Sequence, residues 1–103
     1  MKPYILTPSA NRDINEIWDY IAEDSIFIAD QVLNALEAAL AKLAKNPGLG
    51  HWREELADNK HRFWLVHSYL IVYLHSPNPI TILRILHAAR DIQSILGTSP
   101  NEV

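Results

Sequence analysis

Arg62, Tyr73, Arg84 and His87 are the residues of this 103-residue chain whose types could do chemistry together. Two guanidinium groups could hold the nonbridging oxygens of a phosphate, and a phenol and an imidazole could move a proton near neutrality, as phosphoryl transfer requires. Their spacing resists that assembly. Arg84 and His87 are an odd number of residues apart, so on a regular strand they face opposite sides, and only a bulge or a strand end at Leu86 brings them together. The competing reading pairs Arg84 with Asp91 or a helix carboxylate and lets His87 cap its strand. The spacing favours it.

The five histidines do not form a metal frame, because none stands in an H-x-x-x-H or H-x-H spacing or beside a carboxylate in a recognisable pattern. No metal and no cofactor is expected. His67 reads as a turn residue, and His51 and His75 as surface or edge groups. Gly48 and Gly50 lie outside any dinucleotide or phosphate-loop frame and read as turn residues. Trp18, Trp52, Trp64 and Phe63 could stack bases, but Trp18 falls on a helical apolar stripe and reads as core. Phe63 and Trp64 are consecutive, so one of the two must point away from whatever covers the sheet. A ring left outside suits a partner peptide. Trp64, Tyr69, Tyr73, Arg84, His87, Arg90 and Asp91 are therefore the candidates for binding a partner.

Three apolar runs must position these groups: Phe63 to Val66, Tyr69 to Leu74 and Ile80 to Leu86, rich in β-branched and aromatic residues. Links as short as His67-Ser68 and Ser76-Pro77-Asn78-Pro79 force antiparallel neighbours. Tyr69, Ile71, Tyr73 and His75 share one face and the aliphatic Leu70, Val72 and Leu74 the other. In the last run Ile80, Ile82, Arg84 and Leu86 form one row, so a lone charge interrupts apolar residues and needs a partner. Tyr4 to Thr7 reads as a first strand. Thr7 and Pro8 then open a helix as N-cap and N1, with Ile14, Ile17, Trp18 and Ile21 as its stripe and Asp13, Glu16, Asp19 and Glu23 on its solvated side. Glu23-Asp24-Ser25 breaks it, and Asp24 or Ser25 can cap the next helix. A second helix from Ile26 to Lys45 carries Ala29, Val32, Leu33, Leu36, Leu40 and Leu43 on one side, and Asn46-Pro47-Gly48 ends it. The helical pair is expected to cover the aliphatic face and to leave the other open. After a loop over 47–58 and the meander, Ala88 to Leu96 is expected to form a short helix, with a flexible tail over 98–103.

The composition suits one α+β domain over residues 1–97, with a net charge of −3 and no cysteine for a disulfide or thiolate. Residues 1–46 hold four Lys/Arg against seven Asp/Glu, and residues 47–103 hold five against five. A broad phosphate-binding patch is not available, which argues against direct nucleic-acid binding. No run approaches the length of about 18 apolar residues that a membrane span needs, and no signal-type segment opens the sequence. A cytoplasmic protein without membrane association is expected.

Taken in order, LTPSANRDINEIWDYIAED, LAKNPGLGHWREEL, YLIVYLH and ILRILHAARD resemble the RelE/ParE superfamily of toxins from bacterial toxin–antitoxin operons, over about Tyr4 to Leu96. The ending Arg84 to Asp91 is most similar to the ParE branch, also called plasmid stabilization proteins. The resemblance implies a β-α-α-β-β-β fold with an antiparallel sheet packed on a helical hairpin and a short C-terminal helix. It implies a toxin neutralised by a cognate, ParD-like antitoxin whose C-terminal segment wraps it, as a toxin dimer or a toxin–antitoxin hetero-oligomer. ParE-like members are protein inhibitors of DNA gyrase without a hydrolytic site. RelE-like members are ribosome-dependent mRNA endoribonucleases, for which Arg84, His87, Arg62 and Tyr73 would be the catalytic set. The lysine-rich segment of that second branch is missing, since only Lys60 lies between Lys45 and the end. The ParE-like reading is preferred.

Overall fold

The structure is a computed structural model and describes residues 3–52, 60–75 and 79–89. The expectations for residues 53–58 and for the 98–103 tail lie outside these residues. So do Arg90, Asp91 and, apart from Ala88 and Ala89, the expected C-terminal helix.

The chain runs β1 (Tyr4–Leu6), α1 (Pro8–Ala22), α2 (Ile26–Lys45), a single 3₁₀ turn (Pro47–Leu49), β2 (His61–Val66), β3 (Tyr69–Leu74) and β4 (Ile80–His87). Both helices start where the sequence places a cap. Thr7 Oγ1 accepts the Ala10 N–H at 3.0 Å with Pro8 at N1, and Ser25 Oγ accepts the Ile28 N–H at 3.1 Å. Such a cap contributes about 1 kcal/mol. Lys42 and Lys45 face the negative end of the α2 dipole.

The sheet order is β1-β4-β3-β2. β2, β3 and β4 form the expected antiparallel meander, and the two-residue turn between the first two places His67 in the left-handed region at φ 54°. β1 joins the far edge parallel to β4, Tyr4 opposite Ile80 and Leu6 opposite Ile82, so the sheet is mixed rather than wholly antiparallel. The reason is connection length. Links of two and five residues dictate direction, whereas the long path from β1 to β4 leaves it open.

The helices cover the opposite face from the one expected. Ala10 of α1 and Leu36, Ala39, Leu40 and Leu43 of α2 pack with Ile71, Tyr73, Ile80, Ile82 and Ile85, with Trp64 and Tyr69 at the margin. The aliphatic residues lie on the other side, where Phe63, Leu70, Val72 and Leu86 form a second cluster, and they are buried too, with Val72 at 0% exposure. The expectation of an open second face is therefore corrected. A purely aliphatic row loses most by staying in water, whereas a row with two phenols can be buried only where their hydroxyls find partners.

β4 does not keep a strict alternation. The register steps from Val72 opposite Arg84 to Tyr73 opposite Ile82, a β-bulge that adds one residue to β4. Ile80 and Ile82 before it and Ile85 after it face the helices, while Leu83 and Leu86 face away. The expected row Ile80, Ile82, Arg84, Leu86 is thus broken by the bulge.

Candidate functional site

Arg84 sits at the bulge and is turned toward α1. Its Nε donates to Asp13 Oδ2 at 2.7 Å and its Nη2 to Oδ1 at 2.9 Å, while the Ile85 N–H also donates to Oδ2 at 2.9 Å. Thr7 adds two stitches to the same place, its Oγ1 donating to the Leu83 carbonyl at 2.9 Å and its N–H to the Ile82 carbonyl at 3.1 Å. Asp13 is 8% exposed, the one buried charged residue among those described, so its expected place on the solvated side of α1 is corrected. The sequence held a signal for this. Asp13 lies three residues after Ala10 and four before Ile17, on the inward side of the helix. The bidentate bond to Asp13 raises the Arg84 pKa further, against a smaller opposing effect of burial, with Asp13 and Glu16 adding charge attraction.

Tyr73 and Arg62 serve a different part of the fold. The Tyr73 hydroxyl donates to the Pro47 carbonyl at 2.6 Å and accepts the Gly50 N–H at 2.8 Å, clamping the segment after α2 onto the sheet. Burial raises its pKa, opposed by the Gly50 hydrogen bond and the nearby Arg62 charge. Arg62 Nη1 donates to the carbonyls of Gly48 at 3.2 Å and Gly50 at 3.0 Å, and its guanidinium lies 4.4 Å over the Trp52 ring. Glycine is required at 50, since an added Cβ would run into the Tyr73 hydroxyl.

His87 and Tyr69 form a third group at the end of the hairpin, rings edge to face at 5.4 Å. His87 Nδ1 accepts the Ala89 N–H at 3.1 Å, the strand-end role read from the sequence. Burial, then the nearby Tyr20 phenol, raises the Tyr69 pKa. Trp64 points toward α2, with Lys42 Nζ 5.5 Å over its ring and His51 stacked at 6.0 Å. Phe63 is the outward one of the pair, and it is buried at 2%. The expectation of an outward-facing exposed ring at this pair is corrected for both residues. Trp18 is half-buried between the helices rather than core, its Nε1 donating to Asp30 Oδ1 at 2.9 Å.

The four groups that could have made a phosphoryl-transfer site are thus divided among three places. Among the described residues no group of three or more His, Cys, Asp or Glu could hold a metal. Asp13, Gly50 and Tyr20 are the contributors that sequence reasoning did not single out.

The family model described as the ParE toxin of type II toxin-antitoxin system, parDE, matches residues 4–92. This chain belongs to the ParE toxin family. Toxin ParE1 of Caulobacter vibrioides is 28% identical over 98 residues, covering 94% of this chain and 100% of that protein. Toxin ParE1 of Mycobacterium tuberculosis is 27% identical over 90 residues, covering 86% and 92%. In solved structures, a chain of the chromosomal ParDE TA system from P. aeruginosa shares the fold with a TM-score of 0.68 at 21% identity, over 84% of this chain and 96% of that one. The ParE fold here is two helices on a four-stranded mixed sheet, and no helix among the described residues is long and apolar enough to cross a membrane.

Proposed function

We propose that this ParE-family chain arrests growth by binding a protein target, DNA gyrase, and that a cognate ParD-like antitoxin neutralises it in a toxin–antitoxin hetero-oligomer. The observation that carries the choice of a binding mechanism over RNA cleavage is the Arg84–Asp13 pair. The guanidinium that a nuclease would offer to a phosphate is already held through two hydrogen bonds by a carboxylate. A phosphate brought there would meet that negative charge, and Tyr73 and Arg62 are tied to backbone groups of residues 47–50. Asp13 and Arg84 act as a structural brace. Trp64, Tyr69, His87, Arg90 and Asp91 remain the proposed partner-binding set, whereas Tyr73, fully buried, and Arg84, held by Asp13, serve the fold.

The purified chain is to be assayed for inhibition of gyrase supercoiling and, in parallel, for cleavage of mRNA on programmed ribosomes. Inhibition of supercoiling that the antitoxin reverses is expected, with mRNA left intact. Cleavage that is lost in Arg84→Lys, with gyrase unaffected, would replace this reading with the endoribonuclease one.

A further inference from the structure

The fold sorts charge to opposite ends. Among the described residues up to Glu37 there are seven Asp/Glu and one Arg, whereas from Ala38 onward there is no Asp or Glu and there are Lys42, Lys45, Lys60, Arg62 and Arg84. Arg84 is taken up by Asp13. The other four stand at the end of α2 and the start of β2, about 30 Å along α2 from the acidic turn of the hairpin. Residues 42–62 taken whole hold five Lys/Arg against three Asp/Glu, so this end is cationic. Along the sequence these cations are scattered, and folding gathers them.

Aromatic rings are set between them. Lys42 Nζ lies 5.5 Å over the Trp64 ring, and His51 stacks on the same ring at 6.0 Å with 13° between the planes. Arg62, two residues before Trp64 and on the same face of β2, lies 4.4 Å over the ring of Trp52, which is 59% exposed. Lys45 is exposed one turn beyond Lys42. Lys42, Trp64, His51, Arg62 and Trp52 therefore form one continuous strip. Arg62 backs one face of the Trp52 indole, and the other face is open to water. An acidic peptide would use the cations and gain little from that ring, whereas a nucleobase stacks on it while neighbouring phosphates meet the lysines. We propose that this strip binds a short single strand of DNA without cutting it, one base on the open face of Trp52 and the adjoining phosphates on Lys42 and Lys45, with the Arg62 charge behind. The acidic helices repel the strand from the rest of the molecule and so fix where it lies. DNA is chosen because the proposed target, gyrase, works on DNA. To that extent the inference rests on the gyrase reading, while the strip itself does not.

The full chain is titrated with a labelled short oligothymidylate, followed by fluorescence anisotropy and by tryptophan emission. A dissociation constant of about 10⁻⁵ M is expected at about 50 mM salt, weakening roughly twentyfold by about 200 mM, as for about three phosphates of a single strand, with the emission quenched on binding. Trp52→Leu should weaken binding about tenfold and remove most of the quenching. Lys42→Gln combined with Lys45→Gln should leave about a third of the salt dependence. All three positions are exposed, so each variant should keep its far-ultraviolet circular dichroism. No binding, an affinity unchanged by Trp52→Leu, or tighter binding of an oligoglutamate of equal charge would each overturn the proposal. The supercoiling assay is read separately. Gyrase inhibited by a chain that does not bind the oligonucleotide sinks the strip alone, and a chain that binds it as expected but spares gyrase keeps the strip and sinks the gyrase reading.

Discussion

Asp13 accepts three hydrogen bonds, from two guanidinium nitrogens and one backbone N–H, and through them a helix is fastened to an irregularity in a strand. Asp13→Asn keeps the shape but withdraws the charge, so Arg84 loses its counter-ion while still partly enclosed. Stability is expected to fall by about 2 kcal/mol, read as a lower urea midpoint with an unchanged slope. Tyr73 gives a pH signature. Its folded pKa is raised by burial above the usual value near 10, so the folded chain keeps a proton that the unfolded chain gives up. The phenol's contribution is therefore complete below about pH 10 and declines as pH rises from there through the folded pKa. Tyr69 adds to this in the same direction. Tyr73→Phe should cost about 1–2 kcal/mol at neutral pH, because the Pro47 carbonyl and the Gly50 N–H lose their partner. It should also make the alkaline decline shallower, which denaturation across pH 8 to 11 would reveal, roughly spanning the phenol's ordinary pKa.

At the scale of elements, Gly50 lies hard against Tyr73, its backbone nitrogen 2.8 Å from the phenol oxygen. Gly50→Ala should destabilise the chain by about 1–3 kcal/mol, since backbone and a buried ring must move apart. Combined with Tyr73→Phe, the two losses should fall short of their sum, a coupling measured by a double-mutant cycle. The elements themselves were legible in the sequence because their signals are local. Thr7-Pro8 and Ser25 open the helices, Asn46-Pro47 closes the second, and short links define the meander. What the sequence did not reveal depends on partners distant along the chain. Period two separates the faces of β3 without saying which lies under the helices, and nothing local marks the extra residue in β4. Arg84 was expected to have a carboxylate partner, but its choice of Asp13, 71 residues away, follows from that bulge.

For the whole molecule, both sheet faces carry buried apolar clusters among the described residues, so the proposed partner would not meet a broad bare β face. If the antitoxin reading holds, a cognate antitoxin present at about a hundred times its dissociation constant should stabilise the chain by about 2.7 kcal/mol. Differential scanning calorimetry would show this as an upward displacement of the transition by roughly 10–20 °C, and an unmoved transition would remove antitoxin binding from the account. The bulge opposite Val72 and Tyr73 also decides what β4 can present to α1. With Leu83 removed, Ile82 and Ile85 become two positions apart, so both keep the helices' side on a regular strand, while Arg84 between them turns to the other face and away from Asp13. One inserted residue lets the adjacent Arg84 and Ile85 both look toward the helices.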